Sequence, residues 1–290
     1  MIPGEINILC YLEQLRSPFW NHFWEGVTFL GEDIVLIVLV ALFYFIFNRA
    51  LAYRLCFLTL SSLALNGIVK NLVQFPRPFS TGKITPLRPQ TATGFSFPSG
   101  HTQNFATFTT VFAAYYQKKW LWLATIFGSC LMGFSRLFLG VHYPSDVLMG
   151  ILLGIGIAYF GNRLLDRISD ESKLYLWTLL ALSPFFLYFL CTPDPFYADF
   201  FKCYGLFWGF YLSKKIEEKY GNFSENVPIW KKICRTAVGI LLALLIKTGI
   251  KNLFLPTALT LSLLWDSVRY FVLMMAVFGM YPVILKKLNF

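Results

Sequence analysis

About nine apolar runs set the rhythm of the chain, at roughly 27–47, 55–73, 103–117, 120–139, 147–162, 174–191, 200–212, 233–254 and 261–285, with short polar segments between them. A membrane span takes roughly 20 apolar residues. Several runs are shorter, and polar or glycine-containing flanks extend such a helix where it faces protein. The pattern predicts an all-α, polytopic transmembrane helix bundle of about nine spans. Ahead of it, residues 1–26 scatter Ile6, Ile8, Leu9, Leu12, Leu15, Phe19, Trp20, Phe23 and Trp24 among Glu13, Gln14, Arg16, Asn21 and His22. That spacing predicts an interfacial amphipathic helix, since no basic n-region or small-residue cleavage site is visible. The alternative is a frayed terminus, and His22 reads as an interfacial polar residue.

Composition agrees with the pattern. Hydrophobic residues fill 57% of the 290 positions and only 14% are charged, outside the range of soluble domains. Taken alone, the net charge of +10 would suggest a nucleic-acid partner. Its distribution gives another reading, because no basic, aromatic-interleaved run lies in a soluble segment long enough to form such a domain. With nine spans, one side receives Arg49, Arg54, Lys118, Lys119, Arg163, Arg167, Lys173, Lys214, Lys215, Lys219, Lys231, Lys232, Lys286 and Lys287, and the other only Arg16, Lys70, Arg77, Lys83, Arg88, Arg136 and Lys202. Short cytoplasmic loops accumulate Lys and Arg. The first side is therefore expected in the cytosol, with the N-terminus outside and the C-terminus inside.

Six cysteines (Cys10, Cys56, Cys130, Cys191, Cys203, Cys234) are spread singly, without a Cys-x-x-Cys pair or a histidine at ligand spacing. They read as small hydrophobes, with neither a structural zinc nor a required disulfide expected. Asn222-Phe223-Ser224 is a formal glycosylation acceptor that this topology leaves in the cytosol.

Three polar clusters interrupt the apolar pattern between Lys70 and Asp146. They are Lys70-(six residues)-Arg77-Pro78, then Pro98-Ser99-Gly100-His101, then Ser135-Arg136-(five residues)-His142-(three residues)-Asp146. On the expected topology all three meet on the outer face. Pro98 before a helix start would leave the Ser99 and Gly100 backbone N–H groups aimed at the site, where the helix dipole also favours an anion. Arg77 and Arg136 supply planar forks for phosphate oxygens and Lys70 a point charge. A lone cation of this kind is more often a snorkelling interfacial residue. Three together with two histidines point to a phosphate site. His142 has Asp146 four residues on, so on a helical turn the carboxylate can accept from one ring nitrogen and leave the other free to attack phosphorus.

These clusters resemble, position for position, the three signature motifs of the type 2 phosphatidic acid phosphatase superfamily, over about 77 of 290 residues. That superfamily includes undecaprenyl pyrophosphate phosphatases, sphingosine-1-phosphate phosphatases, glucose-6-phosphatase and vanadium haloperoxidases. The resemblance implies a two-step mechanism with no metal and no cofactor. His142 would form a phosphohistidine, oriented by Asp146; His101 would protonate the leaving group and then activate water; Lys70, Arg77, Ser99, Gly100 and Arg136 would hold the nonbridging oxygens. Pro78, Pro98 and Ser135 would support the motifs. The expected partners are the lipid bilayer and a membrane lipid phosphate, with no nucleic acid.

The chain divides by expectation into an interfacial N-terminal helix (1–26), a catalytic core (27–165) and a C-terminal transmembrane extension (166–290). The motifs read phosphate and not the tail, so phosphatidate, phosphatidylglycerophosphate, a sphingoid-base phosphate and undecaprenyl pyrophosphate all fit. A phosphotransferase using the same phosphohistidine, or a phosphatase for a soluble sugar phosphate, is the alternative; the nine-span layout resembles that of sphingosine-1-phosphate phosphatase and glucose-6-phosphatase. The expected membrane is the plasma membrane of a bacterium or the endoplasmic reticulum of a eukaryote, with the site extracytoplasmic. Lys247, Lys251, Asp266 and Arg269 place charges in the last two spans, where charge is costly. They read as an interhelical ion pair of Asp266 with Lys247 or Lys251, or as one wall of the substrate cleft.

Overall fold

The structure is a computed structural model describing residues 4–221, 223–254, 257–288 and 290. Asn222 of the glycosylation sequon lies outside the described residues. Every regular element among the described residues is helical. In chain order these are α1 (Glu5–Gln14), α2 (Pro18–Phe29), α3 (Asp33–Leu42), α4 (Arg49–Val73), α5 (Gly100–Tyr116), α6 (Lys119–Phe138), α7 (Pro144–Leu165), α8 (Glu171–Cys191), α9 (Ala198–Ile216), α10 (Ile229–Gly249), α11 (Leu259–Met274) and α12 (Tyr281–Lys287). Each predicted apolar run falls on a helix, but the count of nine spans is not reproduced. Among the described residues five helical segments are long and apolar enough to cross a membrane, or six if α2 and α3, bent by 48° across their break, form one span. α5 is not among them: its 17 residues include buried Thr102, Gln103, Asn104, Thr107 and Thr110 in place of apolar side chains.

The N-terminal segment forms two helices in place of the single one expected. Pro18 opens α2, and the Ser17 hydroxyl caps it by accepting from Trp20 N at 3.4 Å. The chain then forms two compact units, residues 1–37 with 61–164, and residues 38–60 with 165–290.

In the first unit α5 lies directly on α7 because Gly150 and Gly154 remove side chains from the contact. A Cβ at Gly150 would stand 2.8 Å from Ser99 O, and one at Gly154 would stand 2.5 Å from Gln103 O and 2.9 Å from Ala106 Cβ. Two glycines four apart clear one stripe of a helix for a neighbouring backbone. Two of the buried polar groups of α5, Gln103 and Thr107, find partners on α4, whereas Asn104 Oδ1 and Thr110 Oγ1 have none among the described residues. Asn66 Nδ2 donates to Gln103 Oε1 (2.8 Å), Gln103 Nε2 donates to Ser62 O (2.8 Å), and the Ser62 and Thr107 hydroxyls share a hydrogen bond of 2.8 Å. This satisfies groups that would otherwise be costly to bury. From the other side α1 packs Leu9 against Ile84 and Tyr143, and the Glu5 carboxylate accepts from Ser145 N (2.7 Å) at the start of α7.

In the second unit α9 and α11 approach in the same way, with Gly205 against the Ser267 backbone and Gly209 against Phe271 O. Arg49 pairs with Glu217 (2.6 Å), which also accepts from Tyr53 (3.0 Å). The intramembrane charges of this unit pair differently from expectation. Asp266 takes Arg269 of its own helix at 2.6 Å, one helical turn away, and Arg269 Nη2 reaches Lys247 O at 3.4 Å. None of the six cysteines forms a disulfide among the described residues.

Gly154→Leu should separate α5 from α7. A drop in the thermal unfolding midpoint of the detergent-purified protein, corresponding to about 1–3 kcal/mol of overpacking, is the expected result. Gly156→Leu, at a position with nothing within 4 Å of its added Cβ, is the control and should unfold near wild type.

Candidate active site

The first unit brings all three polar clusters together. Asp146, fully buried in the first turn of α7, is the joint between two of them. Its Oδ2 accepts from Ser96 Oγ (2.5 Å), from Tyr143 N (2.8 Å) and from His142 Nδ1 (3.3 Å), while its main-chain carbonyl accepts from Ser99 N (3.0 Å). With Nδ1 donating to the carboxylate, the other ring nitrogen of His142 presents its lone pair. That nitrogen, Nε2, stands 3.2 Å from Arg77 Nη1. His142 lies in the short connection between α6 and α7 and is 1% exposed. Burial first, and then the positive charges of Arg77, Lys70 and Arg136, hold its imidazole well below the usual histidine range.

The connection turns at Gly140, whose φ of +70° favours glycine. A Cβ there would also meet Ile84 Cγ2 and Arg16 Nη2. Arg16 fixes the turn from outside, donating to Phe138 O (2.9 Å) and Thr85 O (2.6 Å).

The three predicted phosphate cations are not equivalent. Lys70, in the last turn of α4, donates to Phe95 O (2.8 Å). Arg77 donates to Gly94 O (2.9 Å), Thr93 O (2.5 Å) and Val141 O (2.9 Å), so both are engaged with main-chain carbonyls, mostly of residues 93–95. Arg136 is different. It is fully buried near the end of α6, and only Nη1 has a hydrogen-bond partner, the Thr28 hydroxyl at 2.7 Å, while Nε and Nη2 have none. His101, in the first turn of α5, also has a buried Nε2 without a hydrogen-bond partner. Unsatisfied buried donors are expensive unless something else supplies the acceptors.

Ser99 departs from expectation. It is the residue before α5, yet its N–H is taken by Asp146 O and its buried hydroxyl by Thr102 Oγ1 (2.9 Å). The donors left for an anion come from the next residues, Gly100 and His101, whose N–H groups have no partner within the helix. Pro78 opens a short 3-10 turn after Arg77, Pro98 precedes Ser99, and Ser135 Oγ donates to Met132 O (2.6 Å) inside α6. Lys247, Lys251, Asp266 and Arg269 belong to the second unit, and none of the hydrogen bonds that build this cluster involves them. Two contributors were missed from sequence. Ser96 sits two residues before Pro98, where its neighbourhood was a usable signal, whereas Thr28, at the end of α2, carried none. Among the described residues no group of three or more His, Cys, Asp or Glu is arranged to hold a metal.

Residues 51–169 match the PAP2 superfamily, and residues 201–290 match the transmembrane extension of PAP2 superfamily phosphatases. The chain is 32% identical over 171 residues to the undecaprenyl-diphosphatase of Sulfolobus acidocaldarius, a match covering 57% of this chain and 82% of that protein. The chain belongs to the PAP2 superfamily. It is a membrane-embedded, all-helical phosphatase of that family. It is also 30% identical over 154 residues to phosphatidylglycerophosphatase B of Bacillus subtilis, covering 49% of this chain and 73% of that one. The crystal structure of a transmembrane PAP2-type phosphatidylglycerolphosphate phosphatase from Bacillus subtilis superposes with a TM-score of 0.50 at 25% identity, over 58% of this chain and 87% of that chain.

Ser96→Ala removes one of three donors to the Asp146 carboxylate. Phosphatase turnover should fall about tenfold, the loss of one charge-assisted hydrogen bond, and the thermal midpoint should drop as well because that bond is buried.

Proposed function

We propose that this PAP2 phosphatase hydrolyses the phosphate ester or diphosphate of a membrane lipid through a phosphohistidine on His142, without a metal, at the extracytoplasmic face. One observation carries the reading. A fully buried guanidinium with unsatisfied donors, Arg136, stands in the same cluster as two imidazoles, one of which has its Nδ1 held by a buried carboxylate. A phosphoryl group supplies the missing acceptors and is the electrophile that such an imidazole attacks.

In the proposed sequence His142 Nε2 attacks phosphorus and the P–O bond to the leaving group breaks, that oxygen taking a proton from His101. Asp146 stabilises the imidazolium through Nδ1–H. His101, now neutral, removes a proton from water as the water oxygen attacks phosphorus, the P–N bond breaks, and phosphate leaves. Arg136, the first-turn N–H groups of α5, and Lys70 and Arg77 once they exchange main-chain carbonyls for phosphate oxygens, absorb the charge of the transition state. The extracytoplasmic assignment rests on the basic residues gathered in the opposite loops. A site at the membrane surface suits an amphiphile whose tail stays in lipid, which favours a lipid over a soluble sugar phosphate.

Phosphate release from a panel of lipid phosphates and diphosphates in detergent with a chelator present tests this directly. Activity should survive chelation and vanish in His142→Ala; dependence on added magnesium would contradict it. The lowered pKa of His142 fixes a second outcome. The ring is neutral above its pKa and loses its lone pair as pH falls through it. The acid limb of kcat/KM, which reports the free enzyme, should therefore lie below about 6.5, the unperturbed value. Arg77→Gln should move the limb upward, since it removes a charge that opposes protonation.

A further inference from the structure

Arg88 belongs to none of the three motif clusters, yet it is placed beside them. It sits at φ +52°, in a left-handed turn before Pro89, with its carbonyl accepting from Thr91 N (3.1 Å) and Thr91 Oγ1 (3.0 Å). The preceding residue, Leu87, donates its N–H to Leu139 O (2.9 Å), next to the Gly140 turn that delivers His142. The root of the side chain is thus fixed to the rim of the site. Its charge is close enough to act on both His101 and Arg136. Its partner is Glu32, whose Oε1 accepts from Arg88 Nη2 at 2.7 Å; Nη1 makes only a long contact to Glu25 O at 3.5 Å. The pair uses one prong of a guanidinium built to grip two oxygens.

Glu32 comes from the break between α2 and α3, and that break lies over the site. Thr28 holds Arg136, and a Cβ on Gly31 would stand 3.1 Å from both Cβ and O of His101. The two side chains of the pair are 24% and 20% exposed, so the pair is neither sealed in the interior nor lost to solvent. An exposed ion pair contributes little to stability. This one neutralises a cation that would otherwise repel Arg136.

Charge decides what would displace Glu32. Lys70, Arg77 and Arg136 against Asp146 leave two positive charges, which match a phosphate monoester dianion. A diphosphate brings a second anionic group and needs a further cation. We infer that Arg88 is the specificity-determining residue that grips a second phosphate on the substrate, exchanging the single Glu32 oxygen for two phosphate oxygens. The inference rests on the phosphate-cradle reading of the same site. Glu32, released at the rim, remains hydrated.

The experiment compares full-length wild type, Arg88→Ala, Arg88→Lys and Glu32→Gln on a prenyl monophosphate and a prenyl diphosphate of equal chain length. Arg88→Ala should lower kcat/KM for the diphosphate at least about tenfold more than for the monophosphate, the scale of one charge-assisted pair. Arg88→Lys should restore part of that difference, and Glu32→Gln should lower KM for the diphosphate by removing the competing carboxylate. Equal losses on both substrates, or no loss on either, would overturn the assignment, as would a wild type that cleaves only the monophosphate. A binding arm separates this from failure of the phosphatase reading. In His142→Ala, inorganic pyrophosphate should raise the unfolding midpoint more than inorganic phosphate does, and adding Arg88→Ala should abolish the excess; no stabilisation by either anion would sink the cradle itself, while an excess that survives Arg88→Ala would sink only the role of Arg88.

Discussion

The carboxylate of Asp146 organises the chemistry of this molecule. It is fully buried at a helix start, and a buried charge is tolerated only when donors surround it. Ser96 comes from the loop before α5, Tyr143 N and His142 from the connection before α7, and the main chain of the same residue accepts from Ser99. One residue thereby fixes the position of the second polar cluster against the third and selects the ring nitrogen of His142 that faces Arg77. The first cluster is attached separately, by Arg77 reaching Val141 O and the carbonyls of residues 93–94. Charge, geometry and tautomer follow from the same few hydrogen bonds.

Beneath that joint the fold supplies rigidity by polar means. Ser62, Asn66, Gln103 and Thr107 form a connected, buried network between α4 and α5, and the glycine stripe of α7 lets α5 approach closely enough for Asp146 and Ser99 to meet. In hydrocarbon a network of this kind holds only if its members are satisfied. Loss of one member is therefore felt at the site above.

The motif spacing made the cluster legible in advance, because each motif joins residue types that have a common use around phosphate. Helix positions were legible from hydropathy, and every apolar run is helical. Hydropathy alone does not count the spans, since α5 carries its polarity inward and so scores as a weak span. Two helices at the N-terminus in place of one could have been read from Ser17-Pro18, a cap followed by proline. The engagement of Lys70 and Arg77 with carbonyls of residues 93–95, and the contribution of Thr28 to Arg136, come from tertiary packing and leave no local pattern. Asp266 pairs with Arg269 and not with Lys247 of α10 or Lys251 just beyond it, because a partner one turn away on its own helix needs no second backbone to be placed.

The inward polarity of α5 also bears on how the chain enters the bilayer. Residues such as Gln103, Asn104 and Thr107 disfavour partition of this helix as an isolated segment. It is joined to the more apolar α6 by a tight turn at Gln117, and Phe105 rests on Gly128 of that partner. The two helices therefore partition better as a pair than α5 does alone, and His101 sits in the first turn of the more polar of them.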